Sequence, residues 1–173
     1  NGYHNGGVMT KGLNNEIYFV IGDLEQRTVF QNIPGENADF ETGSIFKIDT
    51  ESNNVELYAM GIRNSFGLAV DPITGYLWDT ENGPDVYDEI NLVEPKFNSG
   101  WIEIQGPSNG KLLPQLSKYK EYKYSEPEFS WELPVGVTAI AFPEQGLFEK
   151  YFDWLFVGDF HNGIIYKFKL DDT

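Results

Sequence analysis

The sequence contains no cysteine. Disulfides and thiolate metal sites are therefore excluded, and the absence fits a reducing compartment and a cysteine-poor exported protein equally well. Basic residues are scarce too: 12 Lys plus Arg stand against 27 Asp plus Glu, for a formal net charge of -15. A surface of that sign repels phosphate backbones and anionic headgroups, so neither nucleic acid nor a membrane surface is an expected partner. The plain role of the charge is solubility. No apolar run reaches eighteen residues, so no spanning helix is expected. The start Asn1-Gly2-Tyr3-His4 has no signal-peptide pattern and no Met, and reads as a mature or truncated chain.

What is present is strand-like. The 173 residues are 40% hydrophobic and 16% aromatic, enough for one domain with a core. Three segments rich in β-branched and aromatic residues end on an acidic-plus-Gly signal: Glu16 to Asp23, Tyr76 to Gly83, and Trp154 to Asp159. Each follows a shorter apolar stretch and a turn, at Gly12 to Asn15, Pro72 to Gly75 and Pro143 to Gly146. Each is followed by a third alternating segment: Ser44 to Asp49, Asp88 to Val93, and Ile164 to Leu170. A fourth follows twice, at Asn54 to Met60 and Gly100 to Ile104.

A recurring four-strand meander with almost no helical periodicity predicts propeller blades in preference to a sandwich. The expected fold is all-β, a partial β-propeller of about three four-stranded blades, near 1–62, 63–134 and 135–173. Three blades do not close a ring, since propellers use about four to eight. Either the remainder of a longer chain or a second copy, forming a homodimer, is expected to complete it.

The meander sorts residues by face. His4, Arg63, Asn64, the loop Asn82 to Asp88 and the loop Asp159 to Asn162 are all expected on one rim near the central channel. Taken singly, an Arg there is as often an ion-pair partner as a ligand for an anion, and a lone His is common on ordinary surfaces. Asp79 to Asn91 concentrates carboxylates around a Gly-Pro turn, whose carbonyls suit a hard cation such as calcium. A solvated acidic loop fits that composition equally well.

The motifs His4-Asn5-Gly6-Gly7, Ile21-Gly22-Asp23, Gly61 to Ala69, Glu81-Asn82-Gly83-Pro84, Asp88 to Asn91, Gly100-Trp101 and Phe156 to Asp159 span nearly the whole chain. Together they resemble the soluble PQQ-dependent glucose/sorbosone (aldose sugar) dehydrogenases, six-bladed propellers exported to the periplasm or beyond the cell. The resemblance implies an oxidoreductase acting on the anomeric or a related hydroxyl of a sugar or alcohol, with PQQ and Ca2+ as cofactors and an external electron acceptor. It implies His4 as general base, Asp23 as the carboxylate that holds it, and Arg63 and Asn64 as contacts to the quinone oxygens. Gly83, Pro84 and Glu89 resemble the calcium ligands, with Asn82 and Asp88 lining the same cofactor loop. His161 and Asn162 stand where the family carries a basic residue for a PQQ carboxylate, and the family's next arginines would fall beyond Thr173. Tyr3 stands where glucose enzymes of the family often carry Asp, and no second calcium site is legible around Gln105. Two other readings of the scaffold are a non-catalytic binding module and a calcium-dependent lactonase.

Overall fold

The computed structural model describes residues 4–26, 31–33, 42–112, 120–144, 146 and 149–170. Asn1, Gly2, Tyr3 and Thr173, named above, and Gln145, within the third turn, lie outside the described residues. Most of the segments that alternation or β-branching marked fold as strands. The first sheet begins with β1 (Met9–Lys11), β2 (Glu16–Ile21), β3 (Ser44–Asp49) and β4 (Val55–Met60), paired in that order. The second holds β5 (Ser65–Val70), β6 (Leu77–Glu81) and β7 (Asp88–Val93), and the third β11 (Val137–Ala141), β12 (Trp154–Asp159) and β13 (Ile164–Lys169). Neighbouring strands in these three runs are antiparallel, as an up-and-down meander requires.

The segment Gly100 to Ile104, read above as a strand, is a turn. The chain after β7 returns instead to the first sheet. There β8 (Phe97–Asn98) pairs parallel to Ala59 and Met60, and β9 (Lys123–Tyr124) pairs parallel to β8. The fourth strand of the second sheet is β10 (Phe129–Trp131), which lies against Asp88 to Ile90 of β7. The described residues between 94 and 128 therefore stitch the first two sheets together and deliver Ser99 and Trp101 to the space between them.

The sheets pack face to face, as blades do. One apolar cluster, including Val20, Ile45, Leu68, Leu77 and Val93, fills the space between the first and second sheets. A second, including Ala69, Trp78, Ile140 and Val157, fills the space between the second and third. The middle sheet is covered on both sides, and every residue of β6 is buried. Leu77, Asp79 and Glu81 turn toward the first sheet while Trp78 and Thr80 turn toward the third, following the two-residue period of a strand. Among the described residues no helix is long and apolar enough to cross a membrane. The molecule is an all-β partial propeller of three packed sheets among the described residues.

Candidate active site

His4, in the loop before β1, has a left-handed backbone, φ 54°. Its Nδ1 lies 2.6 Å from Oδ1 of Asp23, just past the end of β2. A carboxylate can only accept, so Nδ1 carries a proton, and in the neutral imidazole Nε2 keeps its lone pair. Asp23 is 2% exposed and tightly held: Oδ1 also accepts the Glu25 N–H at 2.9 Å, and Oδ2 accepts the indole N–H of Trp101 at 2.9 Å. Leu24 and Glu25 have φ of 53° and 55°, a conformation that costs free energy in non-glycine residues. The close approach of the two loops requires glycine at 22, where a Cβ would stand 2.4 Å from the His4 carbonyl oxygen.

A continuous chain of hydrogen bonds leads from this pair across all three sheets. The Asp23 N–H donates to the Arg63 carbonyl at 2.9 Å, and Arg63 Nη1 donates to the Asn82 carbonyl at 2.7 Å. Asn82 donates its N–H to the Asn64 carbonyl at 3.0 Å and its side-chain amide to the Val137 carbonyl at 2.6 Å. The Gly83 N–H donates to Asp88 Oδ1 at 3.0 Å, and Asp88 Oδ2 accepts the N–H groups of Val135, Gly136 and Val137 at 2.9, 2.6 and 3.2 Å. His161, exposed on the third sheet, donates its N–H to the Val135 carbonyl at 3.0 Å and sets Nδ1 3.2 Å from the Pro134 carbonyl. His4, Asp23, Arg63, Asn64, Asn82, Gly83, Asp88 and His161 thus share one rim. Asp88, only 1% exposed, spends its carboxylate on backbone donors and shapes the loop from within.

Glu89 points elsewhere, into a small cleft between the first and second sheets whose walls include Arg63, Asn82, Gly83, Pro84 and Trp101. Its Oε1 accepts the Gly106 N–H at 2.6 Å. Directly across the strand pair stands Glu81, which accepts the Arg63 N–H at 2.5 Å and the Ser99 hydroxyl at 2.6 Å. Burial, with repulsion from Glu89 and Asp79, holds the Glu81 carboxyl well above its ordinary range. Burial pushes Glu89 up to about 7 and Asp79 up to about 6. Burial likewise draws the Arg63 guanidinium down, against the pull of Asp23, Glu81, Asp88 and Asp85.

These residues fit a hard cation. Two buried glutamates face each other, and none of the ion pairs among the described residues reaches them. The cavity volume is about 10 Å³, near that of one water or ion. No three Asp, Glu or His side chains converge there as a ready cage among the described residues. Gly83 and Pro84 line the cleft beside Glu89, so their carbonyls and its carboxylate are groups able to hold a cation there. Gly83 suits that task because its Cα lies against the loop: a Cβ would stand 2.0 and 2.1 Å from the carbonyl oxygens of Val86 and Tyr87. On the rim itself Arg63 is half-buried and His161 exposed, two groups able to meet an anion.

Sequence reasoning missed the parts played by Trp101, Glu81 and Ser99. Trp101 and Glu81 were visible as members of motifs, yet their partners lie in other sheets or far along the chain. Only the returning excursion after β7 brings Ser99 and Trp101 into place.

Known proteins resemble this chain in sequence and in fold. The glucose/sorbosone dehydrogenase family profile matches residues 1–173. The chain is 25% identical over 172 residues to aldose sugar dehydrogenase YliI of Escherichia coli, covering 91% of this chain and 45% of that protein. It is 31% identical over 128 residues to quinoprotein glucose dehydrogenase B of Acinetobacter calcoaceticus, covering 60% and 27%. The fold superposes on the PQQ-bound form of an aldose sugar dehydrogenase from Streptomyces coelicolor with a TM-score of 0.72 at 21% identity, covering 97% of this chain and 46% of that one. The chain thus spans about half the length of YliI and of the Streptomyces structure. With the family profile matched from end to end, the chain belongs to the glucose/sorbosone dehydrogenase family.

Proposed function

We propose that this chain carries the base side of a PQQ- and calcium-dependent dehydrogenase that oxidises the anomeric or a related hydroxyl of an aldose sugar or alcohol. The observation that carries the reading is the His4–Asp23 pair, 2.6 Å apart and set beside Arg63 on one rim. Two relatives named as an aldose sugar dehydrogenase and a quinoprotein glucose dehydrogenase support it, as does the PQQ-bound structural neighbour.

In this reading His4 Nε2 takes the hydroxyl proton of the sugar while Asp23 stabilises the imidazolium that results. When bound, the quinone supplies the acceptor for the hydride leaving the same carbon. Arg63 and Asn64 contact the quinone oxygens, where a cation offsets developing negative charge. Gly83 and Pro84 carbonyls with Glu89 hold calcium, Asn82 and Asp88 fix that loop, and His161 grips a cofactor carboxylate. An external acceptor then takes the electrons. The family resemblance also supports an exported location, and further blades, from a longer chain or a second copy, to close the ring.

The test is reconstitution with PQQ and calcium, followed by dye reduction with a panel of aldoses. Bound-quinone absorbance and sugar-dependent dye reduction support the reading. Absence of both refutes it, and hydrolysis of a lactone with calcium alone would assign the site to a lactonase.

A further inference from the structure

We infer that Trp101 is a positioning residue that couples the His4–Asp23 pair to Arg63. The inference rests on the dehydrogenase reading for its consequence, and on geometry alone for its substance. The indole touches both halves of the site: its N–H donates to Asp23 Oδ2 at 2.9 Å, and its ring lies 5.4 Å from the Arg63 guanidinium carbon, centroid to atom. The N–H fixes the rotation of the Asp23 carboxylate, which leaves Oδ1 aimed at His4 Nδ1. The ring face holds a cation, an attraction that strengthens as the pair is withdrawn from water.

Trp101 is itself built in, with 8% exposure. Its backbone N–H donates to the Gly61 carbonyl at 3.1 Å and its carbonyl accepts the Asn32 side-chain amide at 2.6 Å. Asn32 and Asn98 in turn exchange two amide hydrogen bonds, of 3.0 and 2.8 Å, and Asn98 Oδ1 accepts the Gly100 N–H at 3.0 Å. A surface-filling tryptophan needs none of these anchors. An indole that must hold two catalytic groups in register needs the backbone behind it fixed.

The test separates the N–H from the ring. Trp101→Phe keeps an aromatic face and loses the donor; Trp101→Leu loses both. Long-range 1H–15N spectra of the protein without quinone, at pH 8, report the tautomer of His4, with exposed His161 as the internal control among 2 histidines. The expected result is a His4 Nδ1–H signature in the parent protein that shifts toward Nε2–H in Trp101→Phe. In the reconstituted enzyme kcat falls about ten- to hundredfold in the same variant, with KM little changed. Trp101→Leu additionally weakens PQQ binding about fivefold relative to Phe.

A His4 tautomer unmoved by Trp101→Phe overturns the proposal, and equal PQQ affinity in the Phe and Leu variants overturns the coupling to Arg63. If Trp101→Phe does not fold, benzothienylalanine at position 101, which replaces the N–H by sulfur in a ring of the same shape, is read in the same way. Failure of the dehydrogenase reading shows separately, as a parent protein with the expected tautomer and no sugar-dependent turnover.

Discussion

His4 and Asp23 stand nineteen residues apart and meet at 2.6 Å, imidazole Nδ1 to carboxylate Oδ1. The contact brings the loop before β1 onto the end of β2. It sets a proton on one ring nitrogen, and in the proposed dehydrogenase the other acts as the base. Asp23→Asn removes the charge that stabilises the imidazolium and allows the wrong tautomer. Steady-state kinetics of the reconstituted enzyme should show kcat lowered by about a hundredfold or more with a small change in KM. A variant with unchanged kcat would show that Asp23 has no part in orienting the base.

Asp88 carries the loop that shapes the rim. Its carboxylate accepts four backbone N–H groups, those of Gly83, Val135, Gly136 and Val137. Asp88→Ala strands these donors, and each unsatisfied buried group costs about 1–3 kcal/mol. Urea unfolding should show a loss of several kcal/mol, on the order of 3 or more. Asp88→Asn keeps one acceptor for the three donors from the third sheet but turns an NH2 toward Gly83, so it should fall between the parent and the alanine variant.

Much of this architecture is legible in the sequence. Strands β2, β3, β7 and β12 stand where alternation and turn residues put them, because their pairing partners lie one turn away. The misreading of Gly100 to Ile104 has a physical cause. The chain leaves the meander after β7 to pair β8 in parallel with β4 and β9 in parallel with β8, and parallel pairing leaves no local turn signature. The buried polar face of β6, with Asp79 and Glu81 turned inward, also defies a reading that places carboxylates outside. The rim residues were legible from strand ends alone. The bond from Trp101 to Asp23 spans 78 residues and was not.

Asp79 gives the protein a pH signature. Burial raises its carboxyl from 3.8 to about 6, against a hydrogen bond from Ser65 at 2.5 Å that favours the ionised form. Because the folded-state value lies above the unfolded one, the folded protein binds the extra proton between them. This group's contribution to stability is complete below about pH 4 and is lost as pH rises through about 6. Thermal melts across that window should show a flatter pH dependence in Asp79→Asn than in the parent. An identical slope would show that Asp79 titrates normally.

Calcium should raise the melting temperature at neutral pH, since a ligand that binds only the folded state stabilises it by mass action. The Gly83→Ala variant should lose this response. A Cβ at that position meets the carbonyl oxygens of Val86 and Tyr87 at 2.0 and 2.1 Å and forces the loop to shift. Glu89→Gln should weaken the response without abolishing the fold. A calcium effect of equal size in all three proteins would place the cation elsewhere.

The most direct test of the base assignment is rapid-mixing absorbance of the PQQ-reconstituted protein with an aldose, comparing the parent with His4→Asn. The parent is expected to reduce its bound quinone, and His4→Asn to bind the quinone with similar affinity but reduce it about a hundred- to ten-thousandfold more slowly. Reduction at the parent rate in His4→Asn would contradict the assignment of His4 as the base.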